Sequence, residues 1–161
     1  MADGEEPEYI ELPGGEPAAV LAAMDRLAGA HKGWINFEPA VAVEDVPAPK
    51  SGLFGLFSGR GPDVPLATWS PGEARNDRTE PAMVGILHPS GAQAKARLAD
   101  RGAAVPDGWV VMQDYSKKGL VVAVPPAVGH RDVVTWLLRA ATALSVTPLT
   151  GTWRATVYAG L

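Results

Sequence analysis

Asp114, Lys117 and Lys118 fall within five residues of one another in "DGWVVMQDYSKKGLVVAVPP", residues 107–126. A carboxylate beside two ammonium groups can hold an anion or polarise a substrate, and Arg154, on the polar side of a later alternating segment, joins them if the sheet order brings it near. The same stretch also reads as two β-strands folded back at Ser116-Lys117-Lys118-Gly119. Charge at a hairpin tip keeps its hydration and discourages strand-to-strand aggregation, so the turn is read first as a hairpin and second as an anion site.

Histidine is the next residue type with chemistry to offer, and there are three: His31, His88 and His130. None has a second histidine or a carboxylate at metal-ligand spacing along the chain, so a metal site would have to come entirely from tertiary contact, and none is expected. His88, in "LHPSG", sits at the end of an apolar run just before a helix start, where ligands meet backbone amides. The plainer reading is a histidine packed or hydrogen-bonded at a strand end. His88, Asp114, Lys117, Lys118 and Arg154 are therefore the candidate ligand-binding groups, with no catalytic set among them.

Several chemistries lack their parts. With no cysteine, there is no disulfide framework, thiolate zinc site, iron-sulfur cluster or cysteine nucleophile. P-loop, dinucleotide-binding, zinc-protease and nucleophile-elbow patterns are missing, and "GLFGLFSGRGP" lacks the lysine and flanking elements of a phosphate cradle. No cofactor is expected. Leu53, Phe54, Leu56 and Phe57 in "GLFGLF" are large apolar residues between glycines and need a cover, in their own domain, a twin subunit or another protein, which makes them the candidate partner-binding residues.

The 161 residues fit one domain, and 47% apolar with 20% charged residues is a globular composition. Its Ala, Gly, Pro, Val and Arg usage resembles that of high-GC bacterial proteins. Residues 1–16 carry six acids and no base, whereas the other 145 carry 12 acids and 14 bases. Residues 1–16 thus read as an acidic flexible tail ahead of a single domain over 17–161, and the acidity disfavours nucleic acid as a partner. The lack of a long apolar run and of a basic leader predicts a cytoplasmic location without membrane contact.

The elements that position these residues follow from periodicity. Apolar residues at helical spacing over 17–28 predict a helix with Pro17 at its first position and Gly29 as its stop, and "GWINFEPAVAV" alternates as a strand until Pro39, which argues for an edge or a bulge there. Residues 44–62 are too rich in Pro and Gly for a regular element and form a long loop. "PDVPLATW" and "AMVGILH" read as strands, Ser90 and Gln93 as a reciprocal helix cap, and "GHRDVVTWLLRAATALS" as a helix buried on more than one side. "TGTWRATVYAG" alternates, with one wet face.

From Pro81 the succession is strand, helix, strand, strand, helix, strand, the order of a ferredoxin-like split βαβ unit, to which the first eighty residues add a helix and strands. The fold class predicted is thus α+β, a mainly antiparallel sheet with helices on one face. Trp34, Trp109 and Trp153 each follow a helix and a glycine at a strand entrance, either an internal duplication or coincidence, and all three are expected in the core. The functional expectation is a non-catalytic module that binds a protein partner, by self-association through a sheet face or the "GLFGLF" loop. The alternative is a small-molecule or anion-binding domain, or a small enzyme, with a pocket between sheet and long loop.

Overall fold

The computed structural model describes residues 6–47 and 61–160. Along the chain it runs β1 (Glu8–Leu12), α1 (Ala18–Ala30), β2 (Trp34–Pro39), β3 (Leu66–Ser70), β4 (Ala74–Arg75), β5 (Arg78–Thr79), β6 (Ala82–Leu87), α2 (Ala94–Asp100), β7 (Val110–Tyr115), β8 (Gly119–Val124), α3 (His130–Leu144) and β9 (Trp153–Tyr158). Seven strands form one sheet in the order β1, β9, β2, β3, β6, β8, β7, and β4 with β5 make a separate small hairpin. Every neighbouring pair in the large sheet is antiparallel. The class is the mixed helix and antiparallel-sheet architecture that the periodicities predict. Among the described residues, no helix is long and apolar enough to cross a membrane.

Alternation along each strand decides which face the core occupies. Ile35 pairs with both Val157 and Trp69, Phe37 with Ala155 and Ala67, and Ile86 with Leu120, so these residues line one face in register. All are buried, together with Val20, Met24 and Leu27 of α1, Leu98 of α2 and Val133, Leu137 and Leu144 of α3. The helices thus cover one face. Trp136 is buried too, its indole N–H donating to the carbonyls of Ala103 and Ala104, which satisfies the polar atom that burial would otherwise strand.

Several local expectations are corrected. Glu8–Leu12, inside the acidic stretch read as a tail, is an edge strand paired with β9 from Glu8↔Val157 to Leu12↔Trp153. The first helix continues past Gly29 to Ala30 and ends at His31, which takes the left-handed conformation (φ 53°) normally left to glycine. Pro17 is the residue before the first helical one rather than that residue. β2 is an interior strand, and Pro39 is tolerated as its last residue, beyond the stretch that pairs with β3. The bulge lies instead in β7, between Val111 and Gln113.

Trp34 is no core residue. It is 41% exposed on the helix-free face, stacked on Tyr158 at 4.8 Å. Trp153 is buried as expected, and Trp109 is half-buried edge-on to Trp136.

Candidate interaction surface

The five ligand-binding candidates from the sequence do not assemble into one group, although Asp114 comes near enough to His88 for its charge to be felt there. Arg154 lies on β9, and β2, β3 and β6 intervene before β8 is reached, about 19 Å away at ordinary strand spacing. Its guanidinium instead donates to Glu11 at 2.7 Å and lies over the Tyr9 ring, and the Glu11 contact holds its pKa above the usual arginine value. Asp114 pairs with Leu120 on the covered face, where its two carboxylate oxygens accept the backbone N–H groups of Ala94 (2.9 Å) and Lys95 (3.1 Å). It is the N-terminal cap of α2, supplied from a different strand. The Ser90 and Gln93 cap is thereby corrected: Gln93 sits at a left-handed φ of 66° with no capping side-chain bond, and Ser90 is engaged by His88.

His88 is fully buried just past β6. Its Nδ1 accepts the backbone N–H of Ser90 at 3.3 Å and contacts the Ser90 hydroxyl at 2.9 Å, which leaves the ring proton on Nε2. That Nε2 finds no hydrogen-bond partner among the described residues. Burial holds the imidazole pKa below its ordinary value; the Asp114 charge opposes this weakly and Arg97 reinforces it. His88 is therefore a neutral packing residue. Gly61 lies against it so closely that a Cβ there would sit 2.3 Å from the His88 carbonyl oxygen.

Lys117 and Lys118 are exposed at the turn between β7 and β8, and among the described residues Asp114 directs its carboxylate to the α2 amides and not to either lysine. Leu53, Phe54, Leu56 and Phe57 lie outside the described residues. Among the described residues, no group of three or more His, Asp or Glu is placed to hold a metal ion.

A carboxylate does meet one histidine through tertiary contact: His130 Nδ1 lies 2.7 Å from a carboxylate oxygen of Asp25, 105 residues away. No spacing along the chain could have flagged that pair.

The uncovered sheet face is unusual in composition. Antiparallel sheets with one solvated side normally alternate apolar with polar, yet β6 (AMVGIL) and β8 (GLVVAV) are apolar on both sides. Leu66, Met83, Leu87 and Val121 are half-buried on this face, and Val110 and Tyr115 of edge strand β7 are 56% and 60% exposed. A shallow groove of about 270 Å³ runs over Gly85, where a Cβ would meet nothing closer than 3.7 Å.

The register also orders the charges. Glu11 pairs with Arg154, Arg154 with Glu38, Leu66 with Leu87, and Tyr115 with Gly119; extending the Phe37↔Ala67 and Ile86↔Leu120 registers by one residue joins these sets into one row across the sheet. At the β1–β2 side that row holds two acids about Arg154, one net negative charge; it is apolar in the middle and ends at the Lys117–Lys118 turn. The sequence signal for this surface was the lack of alternation in "AMVGIL" and "GLVVAV", which by itself equally fits a strand buried on both sides within its own domain.

The chain matches no protein-family model, and comparison with curated proteins and with solved structures finds no match.

Proposed function

We propose that the chain is a non-catalytic binding module that self-associates through the helix-free face of its sheet. The observation that carries this reading is the patch of half-exposed Leu66, Met83, Leu87 and Val121, centred on two strands apolar on both sides. Turning a second copy about an axis parallel to the strands lays apolar centre on apolar centre. The same rotation sets the Glu11 and Glu38 side of one copy over the lysine turn of the other, so the surface complements itself in charge as well as in polarity. Sheet twist would confine the contact to the central strands, at the usual spacing of about 10 Å between packed sheets. Within this reading, β6 to β9 act as a ferredoxin-like unit whose sheet is widened by β2 and β3.

Light scattering tests the proposal. The native chain should show twice its 16.8 kDa mass at concentrations of about 10–100 µM, a range suited to an interface of modest size. Val121→Glu or Met83→Lys should return it to the single-chain mass with the circular dichroism spectrum unchanged. A native chain that stays at the single-chain mass throughout that range refutes the reading.

A further inference from the structure

A second surface feature lies at the opposite end of the sheet from the lysine turn. There the C-terminal end of α1, the corner after β3, the start of β6 and the first residue of α3 enclose a cleft of about 480 Å³. That is within the range of small-molecule sites. Its walls are largely Pro71, Pro81, Pro126 and Ala82, and Trp69 is at its base. Trp69 is 1% exposed, its indole N–H has no acceptor among the described residues, and its ring packs edge-on to His130.

Two histidines stand in the walls, each with one ring nitrogen engaged. The Nδ1 of His31 is 3.1 Å from the Gly72 carbonyl, which can only accept, so Nδ1 carries a proton, and in the neutral imidazole Nε2 then presents a lone pair. Asp25 holds the proton on His130 Nδ1 in the same way, at 2.7 Å. His31 reaches this position by adopting the left-handed backbone conformation, a departure that side chains other than glycine seldom make without a local reason.

Charge selects the ligand. Among the described residues lining the cleft there is one carboxylate, Glu80, and no Lys or Arg; Asp25 stands behind His130, and Arg75, which feels the Glu80 charge, lies outside the lining. The carbonyl end of α1 and the amide end of α3 both reach the cleft, and their dipoles oppose each other, leaving Glu80 to set the sign. We infer that this cleft binds a small protonated amine with a flat apolar body: the ring lies among the prolines, the ammonium faces Glu80, and its N–H groups donate to the histidine Nε2 lone pairs.

The inference is independent of self-association, since none of these residues lies on the helix-free face. Phenethylamine and phenylacetate, which share a ring and differ in charge, are suitable probes. Phenethylamine should shift the imidazole resonances of His31 and His130 and the Trp69 indole N–H with a dissociation constant below about 10 mM, as its size permits. Phenylacetate should bind at least about tenfold more weakly. Glu80→Gln, at an exposed position, should weaken phenethylamine roughly two- to fivefold. His31→Asn, which keeps a residue tolerant of the left-handed conformation, should weaken it as well, with the melting temperature little changed in both variants. Absence of saturable shifts with phenethylamine, equal binding of the two probes, or full affinity in Glu80→Gln would each overturn the inference.

Discussion

At the scale of single residues, His88 and Asp114 carry consequences that differ in kind. His88 is buried and neutral, with its pKa held below the ordinary 6.5 chiefly by burial. In the unfolded chain it takes up a proton as pH falls through that value, whereas in the folded chain it does so only at lower pH. The unfolded state therefore binds more protons in this window, and stability is lost as pH drops below 6.5 toward the folded value. One such group contributes at most about 1.4 kcal/mol per pH unit. The urea midpoint should fall between roughly pH 7 and 5, and His88→Gln should flatten that dependence whatever it does to absolute stability. An unchanged slope in the variant would mean that His88 takes up its proton at the same pH in the folded chain as in the unfolded one. Asp114 acts by satisfying two amide hydrogens that α2 leaves without partners. Asp114→Ala should cost about 1–2 kcal/mol in denaturant titrations, and Asp114→Asn, which retains one acceptor oxygen, should recover part of the loss.

At the scale of elements, the β7–β8 hairpin rests on its glycine and not on its lysines. Gly119 has φ +81°, and a Cβ there would lie 2.3 Å from the Ile86 carbonyl oxygen of the neighbouring strand. Gly119→Ala should cost about 2 kcal/mol or more, from backbone strain and the forced separation of β6 and β8. Lys117→Ala and Lys118→Ala should stay within about 0.5 kcal/mol, as exposed turn substitutions do. A neutral Gly119→Ala would place the turn in a different register. This hairpin was legible in the sequence because its signals are local: two runs rich in valine on either side of a polar turn closed by glycine. The α3 stripe was legible for the same reason, and Val133, Val134, Leu137, Leu138, Ala141 and Leu144 are all buried. The α2 cap was not, because Ser90 and Gln93 satisfy the spacing rule while a carboxylate twenty residues away takes the amides. Trp34 misled similarly: a tryptophan at a strand entrance gives no sign of which face it meets, and alternation with buried Ile35 and Phe37 sends it outward.

At the scale of the whole molecule, what the sequence could not reveal is strand order. β9 inserts between β1 and β2, joining the two ends of the chain in one ladder, and this separates Arg154 from Lys117 while uniting Asp25 with His130. Nothing periodic encodes such long-range placement. It does, however, change the meaning of residues 8–12, whose Glu8 and Glu11 advertise solvent and hide the strand. Each acid meets an arginine, Arg26 and Arg154 respectively, in an exposed pair, so neither contributes much. Leu12 is the residue that ties this strand to the core, fully buried opposite Trp153. Leu12→Ala should cost about 2–5 kcal/mol, the range for emptying a leucine site in a packed core. For a chain of this length that corresponds to a fall in melting temperature of roughly 6–15 °C. Glu8→Gln and Glu11→Gln should each stay within about 1 kcal/mol of the native chain. A tail would leave all three variants alike. Calorimetry that separates Leu12→Ala from the two glutamine variants establishes residues 8–12 as the seventh strand of the sheet, and calorimetry that finds them equal removes β1 and leaves β9 as its edge.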